Sequence, residues 1–265
     1  IYLALLFISS GVVAQEEVKK DTTRVTLKNI EIILIDHSND VSDEIDTIDA
    51  APNEIEKNKY EAHWAGIDMG FSMMTNGQFK TSFDNNPYWK NDPARSMTWN
   101  LNVLEHKFGI AHEYFGITTG LGFSFTQVAF RDNYVLNSTP DTLFASIDTV
   151  VDYSKNKLKA AYLTVPLLLE FCTNKNSDKS FYFAAGVVAG VRIASKIKRE
   201  GEIDGKEFEQ KNKGVYGLNS FKLDGMVRLG YGSWGAFASY SLLPLFDVAK
   251  TVEVYPLTFG LSLNF

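Results

Sequence analysis

The chain has 265 residues, 45% of them hydrophobic and 22% charged, and its formal net charge is −6. This composition suffices for one folded domain plus a tail, and the slightly negative mean hydropathy excludes a bundle of membrane helices. The single cysteine, Cys172, excludes an internal disulfide and is expected to pack at a strand end.

The first fifteen residues are apolar and end in small residues, which is typical of a secretory signal. Val12 and Ala14 suit the −3 and −1 positions, so we expect residues 1–14 to be a signal peptide, truncated at its start and cleaved after Ala14. A membrane anchor is the alternative, but the run is too short for one. No later run reaches the ~18 consecutive apolar residues that a spanning helix needs.

Residues 15–61 form an acidic segment that is almost free of aromatic residues. From residue 16 to residue 61 there are thirteen Asp or Glu against six Lys or Arg, a net charge of −7. Most of this segment is predicted to be a disordered periplasmic tail. Its apolar patch at 25–35 is expected to form a short strand or a docking segment that contacts a periplasmic protein. Calcium binding is an alternative, although the spacing lacks a calcium loop, and its ligands would be Asp40, Asp43, Asp46 and Asp49.

From residue 62 the pattern becomes period two, as the closing segment from Tyr255 to Phe265 shows most clearly. Large apolar residues there alternate with Thr258, Gly260, Ser262 and Asn264, which predicts a strand with one apolar face and one polar face. A phase slip at residues 104–105 predicts a β-bulge. Eight such strands are predicted, at about 64–74, 96–111, 116–126, 157–171, 181–193, 221–231, 234–242 and 255–265.

The connections between these strands alternate strictly between short and mostly long. An even number of strands with this alternation is typical of an outer-membrane barrel. We therefore predict that residues 62–265 form an eight-stranded antiparallel up-and-down transmembrane β-barrel in the outer membrane, with both termini on the periplasmic side. The terminal Phe265 is expected to be the assembly signal for the barrel-assembly machinery. Aromatic residues at the short-turn level predict a periplasmic girdle: Trp64, Phe115, Phe171, Phe181, Tyr231, Trp234 and Phe265.

Five stretches carry a resemblance to a known family: residues 63–67, 158–171, 230–232, 240–246 and 255–265. They resemble the PorT-like outer-membrane β-barrel proteins of Bacteroidetes, and the acidic tail with its Ile-rich patch is similar to that of many members. The resemblance implies the barrel fold and the outer-membrane location. One branch of the family serves type IX secretion and gliding, which implies an accessory role in secretion as one possibility.

The phase of the strands turns six charged residues toward the lumen, three acids and three bases. One interpretation is a small-solute channel or ligand-binding barrel. The other is a paired plug, which the size favours because the lumen of an eight-stranded barrel is just filled by side chains. The predicted lumen charge network consists of Asp68, Glu170, Arg192, Lys222, Asp224 and Arg228.

Two long connections are candidate binding surfaces. The third connection, residues 196–217, mixes lysines with acids and is expected either to bind lipopolysaccharide headgroups or to be a solvated hairpin. The first combines aromatics with Asn, which suits glycan or protein binding. Its candidate binding residues are Phe79, Phe83, Tyr88 and Trp89.

Some small barrels modify lipid A, and this activity needs a nucleophile–base pair near the outer rim. The four histidines, His37, His63, His106 and His112, are all expected elsewhere, so we predict no enzyme, no catalytic residue, no metal and no cofactor. The predicted function is a non-enzymatic structural or interaction module of the cell envelope, and a periplasmic lipocalin-like carrier is a further alternative. The expected partners are outer-membrane lipid and lipopolysaccharide, the barrel-assembly machinery and a protein that binds the tail, with no nucleic acid.

Overall fold

The computed structural model divides the chain into two units, residues 1–55 and 56–265. The expected signal peptide, the acidic linker at 36–59 and the four candidate calcium ligands lie outside the described residues. The structure describes residues 22–27, 30–35, 62–83, 86–111, 114–131, 133–174, 179–203 and 206–265.

The first unit contains an antiparallel hairpin. Strand β1 (Thr22–Leu27) pairs with β2 (Ile30–Ile35), with Leu27 opposite Ile30. The Ile-rich patch of the tail therefore supplies the second strand of a hairpin rather than one isolated strand. Its contact with a partner stays a prediction.

The second unit is a closed ring of eight antiparallel strands, which confirms the predicted fold class. The ring closes because the last strand pairs with the first, Phe259 lying opposite Phe71. No ring strand is left as an unpaired edge, which a bilayer could not solvate. In ring order the strands are β3 (Gly66–Thr75), β4 (Met97–Ala111), β5 (Phe115–Ala129), β8 (Asp152–Cys172), β9 (Phe181–Ile203), β11 (Phe221–Tyr231), β12 (Trp234–Ser241) and β13 (Tyr255–Asn264).

Side chains alternate between the two faces of each ring strand as the sequence predicts. On β3, Ile67, Met69 and Phe71 are exposed outward, whereas Asp68 and Ser72 are fully buried inward. The outer wall is thus an apolar band that only lipid would cover, and the inner wall is polar. The band continues around the ring through Leu101, Val165, Leu167, Leu169, Phe183, Val191, Leu229, Phe259 and Leu261.

Two long strands extend well past the length that a membrane requires. Strand β8 has 21 residues and β9 has 23, against the ~9–11 needed to cross a bilayer. Strand β10 (Lys206–Lys213) pairs with the far half of β9, so the third long connection is a regular hairpin. The second long connection contains another hairpin, β6 (Tyr134–Ser138) with β7 (Leu143–Ile147).

The first long connection carries two single-turn 3-10 helices, Pro87–Trp89 and Pro93–Arg95. Among the described residues, no helix has the length and apolarity to cross a membrane. The connections around 112–114, 173–180 and 232–233 define the short-turn end of the barrel. The opposite end, which carries the hairpins and the 3-10 helices, is the long-loop end.

Candidate functional site

The segment just before β3 enters the lumen from the short-turn end. His63 and Trp64 are buried there, and the backbone amides of Trp64 and Ala65 donate hydrogen bonds of 2.9 Å and 2.7 Å to Glu105 Oε2. The expectation that Trp64 belongs to an outward aromatic girdle is wrong, because this residue precedes the strand and folds inside the ring. Trp64 packs against inward side chains of the barrel wall: Leu168, Ala184, Val188, Met226 and Phe237.

Glu170 on β8 is the centre of the polar cluster beneath this segment. Its Oε1 lies 2.9 Å from His63 Nδ1 and accepts from Lys107 Nζ at 3.2 Å, while its Oε2 accepts from Thr118 Oγ1 at 2.6 Å. Cys172 Sγ lies 3.2 Å from Glu170 Oε1 and 3.0 Å from Lys107 Nζ. Each of these side chains is almost completely buried, so the carboxylate charge is compensated inside the protein.

His63, Glu170 and Cys172 also have the residue types of a metal site, and their ligand atoms lie within 4.8 Å of one another. The ammonium of Lys107, however, touches both Glu170 and Cys172. A resident lysine thus supplies the positive charge that an ion would bring, which indicates an internal ion-pair cluster. Burial by itself lowers the pKa of His63, but the hydrogen bonds to Cys172 and Glu170 and the charge of Glu170 outweigh it and raise this pKa to about 9.

Asp68 and Arg228 form a second, fully buried ion pair farther inside. Arg228 Nη1 donates to Asp68 Oδ2 at 2.9 Å, and the same oxygen accepts from the side-chain amides of Asn102 at 3.0 Å and Asn100 at 3.3 Å. The guanidinium lies 5.2 Å from the ring centre of Trp64, within range of a cation–π contact.

The closing strand joins these two clusters into one network. Arg228 Nη2 donates to Asn264 Oδ1 at 3.0 Å, and Asn264 Nδ2 donates to the hydroxyl of Tyr182 at 2.9 Å. The ring of Tyr182 stacks on His63 with 4.1 Å between ring centres, and His63 contacts Glu170. A continuous chain of contacts therefore crosses the barrel at its short-turn end.

Two further members of the predicted charge network, Lys222 and Asp224, pair nearer the long-loop end. Lys222 Nζ is 2.9 Å from Asp224 Oδ2, and Ser241 donates to Asp224 Oδ1 at 2.8 Å. The cavity beside this pair, lined in part by Tyr162 and Ser239, measures about 20 Å³, the space of about one water molecule.

Arg192 needs a correction, because its expected role was to balance a lumen acid. Within the described part of the chain it forms no ion pair. Its guanidinium donates instead to the Asn219 carbonyl at 3.3 Å and to Ser195 Oγ at 3.0 Å. The base that balances Glu170 is Lys107, which the sequence interpretation omitted.

The long-loop end of the lumen is covered by a hydrophobic cluster, the apolar cap. Trp89 from the first long connection is its largest member, 1% exposed, and its ring centre lies 4.4 Å from that of Phe246. The cap draws on all four long connections and the adjoining strand ends: Met74, Phe83, Trp89, Val128, Phe130, Leu136, Leu143, Leu158, Ala160, Tyr162, Ile197, Leu218, Phe246 and Val254.

The structure separates the four aromatic residues that the sequence suggested as one binding surface. Phe83 and Trp89 are buried in the cap, and Tyr88 packs against it. Phe79 is 68% exposed and stacks on Tyr240. Only Phe79 keeps the exposed position that the binding hypothesis requires.

Phe265 lies at the opposite end, next to the inserted segment. Its side chain is exposed, and its amide donates to the Ala65 carbonyl at 3.2 Å. Its recognition by the assembly machinery stays a prediction.

Comparisons with known proteins agree with this architecture. The family model described as outer membrane protein beta-barrel domain matches residues 64–250. Among curated proteins, none matches the chain significantly.

Two crystal structures of Ail, the attachment invasion locus protein of Yersinia pestis, are similar to this chain at 14% and 15% identity. Each alignment covers 76% of this chain, and 99% or 96% of Ail, with TM-scores of 0.29 and 0.30. The second contains Ail in complex with the heparin analogue sucrose octasulfate. From the family match and the closed amphipathic ring, the chain belongs to the outer-membrane β-barrel domain family and is located in the outer membrane.

Proposed function

We propose that this protein is a non-conducting, non-enzymatic barrel of the outer membrane that acts as a structural or interaction module. The observation that carries the proposal is the filled lumen. Buried ion pairs and the inserted segment close the short-turn end, and the apolar cap closes the long-loop end. Described side chains are thus buried across the lumen at both ends, which argues against the channel alternative.

A solute-uptake experiment tests the closure. Liposomes that contain the purified protein should swell in small sugars no faster than empty liposomes, whereas a general porin of the same membrane type should swell them rapidly. Swelling at a porin-like rate would support the channel alternative and contradict the proposal.

The absence of enzymatic activity is part of the proposal. Acyl transfer at the outer rim would need a histidine or an equivalent base near an exposed serine. In the described part of the chain, His63 and His106 belong to the short-turn end, His63 in the ion-pair cluster and His106 beside Phe108. Incubating the protein with lipid A and analysing the products by mass spectrometry should show no change in acylation.

The long-loop end is proposed to face the cell exterior and the acidic tail the periplasm. Single cysteines at Gln210 on the β10 hairpin and at Ser233 in a short turn test this orientation, with buried Cys172 left in place. An impermeant thiol reagent on whole cells should label Gln210→Cys and not Ser233→Cys. The reverse pattern would show an inverted barrel.

A PorT-like affiliation and an accessory role in secretion form the finer proposal. They rest on the stretches that resemble that family, above all residues 158–171 on β8 and the closing strand. Loss of the gene in its native host should then reduce the protein content of the culture medium. An unchanged set of secreted proteins would contradict this role and leave the barrel proposal intact.

The tail is proposed to bind a periplasmic protein through the β1–β2 hairpin. Deleting residues 16–58 should leave the barrel folded and remove one crosslinked partner. Loss of barrel folding would show instead that the tail is part of the folding unit.

A further inference from the structure

Three lysines lie side by side on the outer wall where the barrel extends beyond its apolar band. Lys159 on β8 is directly opposite Lys196 on β9, and Lys196 is directly opposite Lys213 on β10. Directly opposed residues of antiparallel strands share a face and have Cβ atoms roughly 4.5–5.5 Å apart. Their neighbours Leu158 and Ile197 are buried inward, so these three lysines, the lysine row, point outward.

Among the residues that the structure describes, no carboxylate lies within ion-pair distance of the lysine row. None of its three ammonium groups forms an ion pair with another described residue. Their charges are therefore uncompensated there, and like charges in directly opposed positions repel one another. Farther from the apolar band the pattern differs, because Lys198 contacts both Glu200 and Glu209. Lys155 and Lys211 are also ion-paired there, with Glu200 and Glu209 respectively. Carboxylates are thus present on the same three strands but not at the level of the row.

A strip of apolar side chains lies directly beneath the row. Phe125 is opposite Trp99 on β4 and opposite Ala161 on β8, while Gln127 and Lys159 form the next outward pair along the same strands. Trp99 and Phe125 are 41% and 46% exposed. Large apolar rings next to charged residues mark the level at which a bilayer's hydrocarbon ends and its headgroups begin.

The row and the strip together line one groove of about 890 Å³. Its apolar wall includes Trp99, Phe125 and Ile193, and its polar rim includes the lysine row. Arg192 also lines it, close to its hydrogen-bond partner Ser195. Arg192, which the sequence analysis assigned to the lumen, is thus one of the residues that line this groove.

We propose that this groove binds a phosphorylated glycolipid of the outer leaflet. The lysine row contacts the lipid phosphates, and the strip formed by Trp99, Phe125 and Ile193 contacts the first carbons of the acyl chains. A soluble anion would satisfy the ammonium groups but leave the apolar wall uncovered, and an uncharged lipid would do the opposite. An amphipathic anion held in the leaflet matches both halves of the groove. The inference rests on the proposed orientation, with the long-loop end outside.

The test compares two triple variants that carry the same charge change on the same strands. Lys159→Gln with Lys196→Gln and Lys213→Gln removes the lysine row. Lys155→Gln with Lys198→Gln and Lys211→Gln removes three ion-paired lysines farther from the apolar band. Each purified protein is placed in phosphatidylcholine nanodiscs that contain bis-phosphorylated lipid A. The protein is then released from the nanodisc, and native mass spectrometry measures the lipid A that stays bound to it.

The row variant should retain lipid A about tenfold less than the unmodified protein, because charge-assisted hydrogen bonds to phosphate are lost. The matched variant should retain it nearly unchanged, and heat-shift gels should show both variants folded. Dephosphorylated lipid A should bind the unmodified protein weakly, and excess inorganic phosphate should compete poorly. Equal loss in both variants, or full displacement by inorganic phosphate, would overturn the proposal. Cysteine labelling tests the orientation of the barrel independently. A wrong orientation can therefore be distinguished from a groove that does not bind lipid A.

Discussion

At the short-turn end the lumen is filled by paired charges and hydrogen bonds, whereas at the long-loop end it is covered by large apolar side chains. The short turns cannot fold back over the opening, so the wall residues and the segment at 62–65 must fill it, and the wall of a transmembrane barrel is polar on its inner side. The long connections reach across the opposite mouth and bring Trp89 and Phe246 together. The length of the connections thus decides which chemistry closes each end.

The largest expected effect comes from breaking the buried pair at the short-turn end. Arg228→Met should lower the free energy of unfolding by about 3–5 kcal/mol, because Asp68 is left buried and charged without its partner. Urea unfolding in lipid vesicles, followed by circular dichroism, measures the change. The double variant Asp68→Asn with Arg228→Met should recover at least half of the loss, and no recovery would mean that the cost arises from packing.

The second prediction concerns the apolar cap. Trp89→Ala should lower the free energy of unfolding by about 3 kcal/mol, since a large buried ring is lost and the cavity collapses only in part. Phe79→Ala, at an exposed ring on the same connection, is the control and should change it by no more than about 0.5 kcal/mol. Similar effects at the two positions would contradict the cap.

The third prediction uses pH to separate the two ends, because only the short-turn cluster contains a described histidine with a raised pKa. Glu170 and Cys172 on β8 and Tyr182 on β9 face His63. Lys107 contacts both Glu170 and Cys172. The raised value means that protonated His63 favours the folded state. This stabilisation is complete below pH 6.5 and is lost as the pH rises through about 9.

The stabilisation lost between these pH values should be on the order of 3 kcal/mol, at 1.36 kcal/mol per pKa unit. Unfolding curves measured at several pH values give the profile. His63→Phe, which keeps a ring against Tyr182, should flatten it. A profile that is equally steep in this variant would exclude His63 as its source.

The smallest effect is expected for one hydrogen bond within the same cluster. Thr118→Val keeps the shape of the side chain but removes its 2.6 Å hydrogen bond to Glu170 Oε2, and should cost about 1.5 kcal/mol. Thr119→Val, the neighbour that bonds the Pro166 carbonyl, is the matched control. A larger cost at Thr119 than at Thr118 would show that the Glu170 cluster is not the more important contact.

The alternation of apolar and polar residues was enough to predict the ring. It identified all eight strands and the inward positions of Asp68, Glu170 and Arg228, because a period of two fixes the face of every residue in a regular strand. The predicted strand bounds were less accurate where the strands extend beyond the membrane. Strands β8 and β9 continue as a hairpin ladder there, and charged sequences such as residues 196–213 have no apolar face to reveal it.

Lys107 shows how a local irregularity hides a site residue. The register of β4 shifts between Asn102 and Leu104, close to the predicted bulge at residues 104–105. Beyond this shift the odd-numbered residues point inward, so Lys107 is buried. The phase slip was visible in the sequence, and carrying it forward would have placed this lysine in the lumen.

The inserted segment and the cap could not be predicted in the same way. His63 and Trp64 precede the first ring strand, β3. No periodicity in that segment indicates whether a side chain points into the ring or away from it. Trp89 lies on a 3-10 turn whose position depends on contacts with Phe246, far away in the sequence. Such long-range contacts arise from the closed ring and leave no local signal.

Conductance of a single barrel tests the central claim, closure of the lumen at both ends, most directly. Planar-bilayer recording of the purified protein should show no stable unitary steps at any polarity, because buried ion pairs block one end of the lumen and the apolar cap blocks the other. Stable, ion-selective steps from the unmodified protein would contradict this account and would make the lumen charges the lining of a channel.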